Sequence, residues 1–198
     1  KDDFKKYPRV LSYDKKILKK LNVDYVFIPS FKQIYPKGPN RNIKINKFKN
    51  ELCGKFRPNH FEAIVDVIQR FINIIKPKRI YLGKKDMQQL LLIENFFKKN
   101  KIKTKVIGCE IIRQKNGVAF SSRNLLLSYN DQEAASKIYK LLKKSKKKIL
   151  KKKYYFNLIK KKILKLGVKK IDYLKVLDIN RIIKPYKIKI NKKVFVAY

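Results

Sequence analysis

The sequence predicts an α/β fold built on a parallel sheet and followed by a smaller α+β domain. Three observations carry this. Short β-rich runs alternate with helical patterns of 10–15 residues up to residue 109. After residue 111 the texture changes to two long helical patterns followed by two late β-rich runs. The 198 residues, 44% of them apolar, are enough to bury a core in one large domain or two small ones. The division falls near 110–113, giving residues 1–111 and 112–198.

Ser12 stands where it could cap a helix carrying Ile17, Leu18 and Leu21 on one face. Val23-Asp24-Tyr25-Val26-Phe27-Ile28, stopped by Pro29, reads as a buried strand. Residues 29–59 hold four of the seven prolines and little periodicity, so they read mostly as loop. Phe61, Ile64, Val65, Ile68, Phe71, Ile72 and Ile75 recur at steps of three and four, an amphipathic helix ended by Pro77. A strand over 79–82, a tight loop from Gly83 to Asp86, a helix from Met87 to Lys99 and a strand over 105–109 follow.

In the second part, Ser128 and Asp131 resemble a capping box before a helix with Ala134, Ala135, Ile138, Leu141 and Leu142. The run Lys143 to Lys153 reads as a solvated linker or helix end. Tyr155, Ile159, Ile163 and Leu166 form another helical face, with Gly167 at its C′ position. Residues 171–177 and 194–198 read as strands.

The formal charge is +39, from 53 basic and 14 acidic residues. Only eight of the basic residues are arginine. Lys, Ile, Asn, Tyr and Phe, all with AT-rich codons, supply 110 of the 198 residues, and Trp is absent. The charge therefore reads as codon bias rather than selection for phosphate recognition, which favours the planar arginine fork. Salt-sensitive, nonspecific sticking to RNA is expected, with no specific nucleic-acid partner. Two cysteines and one histidine exclude a zinc cluster, a CxxC pair and a disulfide scaffold. No run of about 18 apolar residues predicts a membrane span. KDDFKKYPRV lacks a signal-peptide core. Few cysteines and no export signal point to the cytoplasm.

Three segments could carry chemistry. Gly83-Lys84-Lys85-Asp86-Met87-Gln88-Gln89 lies at the carboxyl end of a parallel strand and opens a helix, the edge where α/β sheets bind ligands. Gly83 lets a ligand approach the backbone, a lysine neutralises phosphate, and Asp86 either caps the helix or holds a ribose hydroxyl. Gln89, one turn in, would point to the same edge. Spacing alone also fits an ordinary capped helix, and neither GxGxxG nor GxxxxGK[ST] is present. Phe120-Ser121-Ser122-Arg123-Asn124 offers two hydroxyls and a guanidinium for a polyphosphate, or is a polar loop before a helix. Arg57-Pro58-Asn59-His60-Phe61 opens the strongest amphipathic helix, where a lone histidine is more often structural.

Taken in order, the segments resemble the pantothenate synthetase (pantoate–β-alanine ligase) family over nearly the whole chain. The matching stretches are DDFKKYPR, YPKG (35–38), Leu52-Cys53-Gly54 with RPNHF (57–61), GKKDMQQL (83–90), NGVAFSSRN (116–124), Leu127-Ser128 and IDYLKV (171–176). The resemblance implies a Rossmann-like nucleotidyltransferase (HUP-type) parallel sheet followed by a small α+β lid domain. It implies condensation of (R)-pantoate with β-alanine, ATP being split to AMP and diphosphate through a pantoyl adenylate. Mg2+ would accompany ATP, and the enzyme would be a cytoplasmic homodimer.

Residue by residue, Gly83, Lys84, Lys85 and Asp86 would bind ATP. Lys85 would meet phosphate, and Gly83 with Asp86 the ribose. Ile112 and the Phe120 backbone would flank adenine, and Ser121, Ser122 and Arg123 would hold the phosphates. Gln89 would hold pantoate. The chain departs from the family at Lys84 (usually Glu), Asn59 (often Gly), Glu62 and Ala63 (commonly Arg-Gly) and Phe120 (Leu or Met). The family's opening strand, its HxGH loop and its second strand have no counterpart, and His60 does not replace those histidines. The sheet is therefore expected to be N-terminally incomplete. The chain reads as a fragment without the histidine-based catalytic residues, inactive and poorly folded alone. The alternatives are an adenylyltransferase of the same superfamily with another acceptor, and a basic RNA-binding module.

Overall fold

The computed structural model describes residues 10–151, 155–178 and 193–197. Its parallel sheet is made by β1 (Arg79–Gly83) and β2 (Lys105–Cys109), in register from Arg79 opposite Lys105 to Gly83 opposite Cys109. The crossover between them is helix α4 (Met87–Lys99), preceded by a 3-10 turn over Lys84–Asp86. This is the predicted βαβ unit, with the predicted strand and helix limits reproduced to within a residue.

Before β1 come α1 (Leu11–Lys20), α2 (Phe31–Ile34) and α3 (His60–Ile75), with 3-10 turns over Lys47–Asn50 and Leu52–Phe56. Helix α3 buries Phe61, Val65 and Ile72, three members of its predicted stripe. It stops where Lys76 takes the left-handed conformation ahead of Pro77. Leu92 and Ile93 of α4 are each 1% exposed. Leu92 packs with Phe48, Leu52 and Phe61, and Ile93 with Ile43, Val65 and Phe96. Ile80, Leu82 and Val106 seal one face of the sheet against that second cluster.

Two early expectations are corrected. Ser12 does not cap α1; Val10 stands at the cap, and no side chain caps that end. Residues 23–28 form no strand. Tyr25 is 92% exposed and Val26, Phe27 and Ile28 are about half exposed, and no described strand lies beside them. β-branched and aromatic residues favour a pleated surface only when a neighbour accepts the backbone bonds.

The second part contains α5 (Tyr129–Lys151), α6 (Tyr155–Leu164) and an antiparallel pair, β3 (Leu174–Asp178) with β4 (Lys193–Ala197). The capping box at Ser128 is present: its hydroxyl accepts from the Asp131 amide, and the Asp131 carboxylate accepts from the Ser128 amide. Lysines 143–151 lie in α5 rather than in a linker; Lys152 and Lys153, like Tyr198, fall outside the described residues. Ile159, Ile163 and Leu174 form a third cluster with Ile138, Leu141 and Leu142. Tyr173 joins the two parts by packing with Phe48 and Leu52 and stacking near Phe56 at 6.3 Å.

Gly54 has a steric reason. A Cβ there would lie 1.7 Å from the Lys49 carbonyl oxygen, so the backbones of two 3-10 turns approach through its missing side chain. Gly54→Ala should force these turns apart and cost about 1–3 kcal/mol or more, in the manner of an overpacked core. A urea titration checks this; an unchanged midpoint would contradict the close approach.

Candidate active site

Gly83 ends β1 and starts the Lys84–Asp86 turn, so the turn sits at the carboxyl edge of the sheet. Gly83 has an ordinary φ of −69°. A Cβ on it would meet nothing closer than the Lys85 amide nitrogen at 4.0 Å. The fold therefore does not demand glycine here; the bare backbone leaves an open approach. Asp86 occupies the N-cap of α4, but its side chain makes no capping bond. Of its two readings, the capping one is thereby removed. Lys85 is exposed. Lys84 is ion-paired with Glu110, just past β2.

The neighbouring glutamines behave differently. Gln88 is buried, and its side-chain amide donates to the carbonyls of Phe48 and Glu51, both at 2.8 Å. Its Oε1 accepts from the Cys53 thiol at 3.0 Å. Burial pushes the Cys53 thiol up, which suits a donor and not a thiolate nucleophile. Gln88 thus ties the first turn of α4 to the two 3-10 turns, while Gln89 beside it is half-buried.

Residues 112–120 form a tight hairpin. Phe120 donates its amide to the Ile112 carbonyl at 3.0 Å, and Arg113 bridges to Ala119. Ile112 and Phe120 are 69% and 58% exposed, so the hairpin base presents a pair of apolar side chains to solvent. Helix α5 holds the other end. The buried Ser136 hydroxyl donates to the Asn116 carbonyl at 2.7 Å, and the Arg113 guanidinium lies 4.1 Å from the Tyr139 ring centre. Gly117, at φ +91°, sits so close that a Cβ would come within 2.3 Å of that ring. Beyond the hairpin, Ser121 caps a 3-10 turn over Ser122–Leu126 by accepting from the Arg123 amide at 3.3 Å. Asn124 donates to the Ala119 carbonyl at 3.0 Å, locking the segment back on the hairpin.

The sole histidine reports how these pieces meet. His60 opens α3 behind Asn59, which holds φ +61°, a backbone that glycine or asparagine adopts readily. Asparagine meets that requirement at small steric cost. Burial lowers the His60 pKa first. Arg57 lowers it further, Asp86 opposes them, Arg123 lowers it again and Glu62 raises it. Asp86 and Arg123 both bear on this one imidazole through their charges, so both lie in the neighbourhood of the start of α3. Arg57 and His60, from the third candidate segment, lie together here, and the Arg57 charge is the largest electrostatic influence on the imidazole. Glu110, Ser136 and Tyr139 carried no sequence signal, and Gln88, though inside the first candidate segment, showed none of its ties to Phe48, Glu51 and Cys53, because these roles arise from contacts across the chain. Glu62, at a departure from the family, is ion-paired with Lys49.

A parallel βαβ unit with a bare glycine turn and an aspartate free of capping at its carboxyl edge has the form of a Rossmann-like nucleotide-handling protein. The sequence model of one such family, described as pantoate-beta-alanine ligase, matches residues 1–198, and the chain belongs to that family. A pantothenate synthetase of Sulfurihydrogenibium sp. is 36% identical over 184 residues, covering 90% of this chain and 66% of that relative. The chain thus spans just under two thirds of that relative's length. The crystal structure of pantothenate synthetase from Thermus thermophilus superposes with a TM-score of 0.80 at 27% identity, covering 91% of this chain and 67% of that one. The Francisella tularensis pantoate-beta-alanine ligase, complexed with beta-gamma ATP and beta-alanine, gives 0.74 at 37% identity, covering 89% and 66%. The expected Rossmann-like α/β fold agrees with these likenesses. Among the described residues no helix is long and apolar enough to cross a membrane.

Proposed function

We propose that these residues form the ATP-gripping edge and the lid of an enzyme that joins (R)-pantoate to β-alanine. The observation that supports the reading is a bare-glycine turn, Gly83 to Asp86, at the carboxyl edge of a parallel βαβ unit in a chain that belongs to the pantoate-beta-alanine ligase family. In the proposed reaction a pantoate carboxylate oxygen bonds to the α-phosphorus of ATP, and the bond to diphosphate breaks. The β-alanine amine then attacks the acyl carbon, AMP leaves, and the nitrogen loses a proton. A carboxylate is ionised at neutral pH and needs no base, so positioning and charge stabilisation dominate the first step.

Gly83 and Asp86 would hold the ribose, and Lys85 a phosphate. Ile112 with the Phe120 backbone would flank adenine. Ser121, Ser122 and Arg123 would grip the phosphates, and Gln89 pantoate. Lys84 would act from its pairing with Glu110. Mg2+ in this scheme would accompany the phosphates of ATP. Residues 1–111 would be the nucleotide-binding part and 112–198 the lid. The remaining catalytic groups would come from the further third of length that the relatives have. A cytoplasmic homodimer belongs to the same proposal, and light scattering would check the dimer.

The test is ATP–diphosphate exchange, run with this chain supplemented by the remaining third of a relative's sequence, with pantoate present and omitted. Exchange that needs pantoate is expected. Exchange indifferent to pantoate but driven by another acid would replace pantoate as the acceptor. The 198 residues alone should release no pantothenate, and detectable product would overturn that part. Gly83→Ala should leave the melting temperature unchanged, since the new methyl meets only the Lys85 amide nitrogen, at an ordinary 4.0 Å. It should weaken ATP binding on the order of tenfold, the weight of about 1.4 kcal/mol. Calorimetric titration against thermal melting separates the two.

A further inference from the structure

At the opposite end of the sheet, where β1 and β2 begin, lies a cleft of about 1010 Å³. It sits about 13 Å from the Gly83 turn, the length of a five-residue strand. Its floor is apolar, from Ile72 of α3 and Ile102 before β2. Its walls carry Lys76, Lys78, Arg79, Lys103 and Lys105 and no acidic residue. None of these five cations has an ion-pair partner among the described residues. The carbonyl end of α3 supplies a partial negative charge of about half a unit. That accounts for one cation, not for five drawn from two loops and the paired strand starts that follow them. Like charges gathered over an apolar floor repel one another until an anion enters, and lysine is an effective point-charge partner for phosphate. The volume suits a small ligand rather than a macromolecular surface.

We propose that this cleft binds a small soluble molecule bearing two or more linked phosphates, at a site separate from the nucleotide edge. The proposal does not depend on the ligase reading.

The test is calorimetric titration of the Lys85→Gln/Arg123→Gln chain, which silences the nucleotide edge, with inorganic tripolyphosphate and separately with ADP. One-to-one binding of at least one probe is expected at about physiological ionic strength, where exposed charges are screened beyond roughly 8 Å. Adding Lys76→Gln and Lys103→Gln should weaken it at least tenfold. Adding Lys143→Gln and Lys147→Gln, equal in charge but on the exposed face of α5, should leave it within twofold. Tighter ADP would mean that the apolar floor takes the base; tighter tripolyphosphate would mean an inorganic ligand. Lys76→Gly separates binding from folding, because Lys76 holds φ +50°, a left-handed position that glycine adopts more easily. Its melting temperature should hold or rise while affinity falls. Absence of binding by both probes, equal losses from the two lysine pairs, or full affinity in Lys76→Gly would each overturn the proposal.

Discussion

Under the proposed ligase reading, Arg123→Ala is expected to weaken ATP binding by roughly 10–100-fold, the loss of a charge-assisted hydrogen bond of about 1.5–3 kcal/mol. In the completed enzyme the same change slows adenylate formation on the order of 10²–10³-fold, because the guanidinium would stabilise charge that develops on the transferring phosphorus. Arg123→Lys recovers only part of either loss, since an ammonium keeps the charge without the planar fork. The fold should tolerate both changes. Arg123 is exposed, and the Ser121 cap and the Asn124 bond to the Ala119 carbonyl hold the segment in both variants. Nucleotide titration and single-turnover chemistry check the two effects separately. An Arg123→Ala chain with unchanged affinity would remove this residue from the phosphate site.

Arg70→Ala unfolds the chain far more readily. Arg70 on α3 pairs with Asp66 at 2.7 Å and donates to the carbonyls of Ile34 at 2.9 Å and Gly38 at 3.0 Å. Its guanidinium also lies 4.6 Å from the Tyr35 ring centre. Asp66 is 4% exposed, and its other partner among the described residues is the Asn40 amide, at 2.9 Å. Truncating the arginine leaves a buried carboxylate without its cation and two carbonyls without donors. The expected cost is about 3–5 kcal/mol, as for other broken buried pairs. Asp66→Asn, which keeps an acceptor toward Asn40 and removes the stranded charge, should cost less. Chemical denaturation of the three chains checks the order. The YPKG motif at 35–38 thus has a structural basis: Tyr35 stacks on Arg70, and Gly38, at φ +78°, turns its carbonyl onto it.

Both ends of α4 and all of β2 were legible because apolar periodicity and punctuating residues are local properties. The stripe from Phe61 to Ile75 fixes a helix whatever surrounds it, and Pro77 ends it. The same local reading failed at residues 23–28. Their β-propensity is real, but a strand exists only when another backbone pairs with it. Lysines 143–151 were open between linker and helix end, and the apolar face of α5 resolved them as helix.

What the sequence determined by itself was the identity and order of the chemical groups: the glycine–lysine–aspartate turn, the serine–arginine segment, and the helices and strands that carry them. What only the tertiary structure decided was who meets whom. Parallel pairing of β1 with β2 puts Lys84 beside Glu110 and gathers five cations at the far end of the sheet. The folded chain brings the charges of Asp86 and, across some sixty positions of chain, of Arg123 to bear on His60. Propensity and periodicity act over a few residues. Electrostatic and packing energies act over ångströms of space, and the folded backbone alone converts one scale into the other.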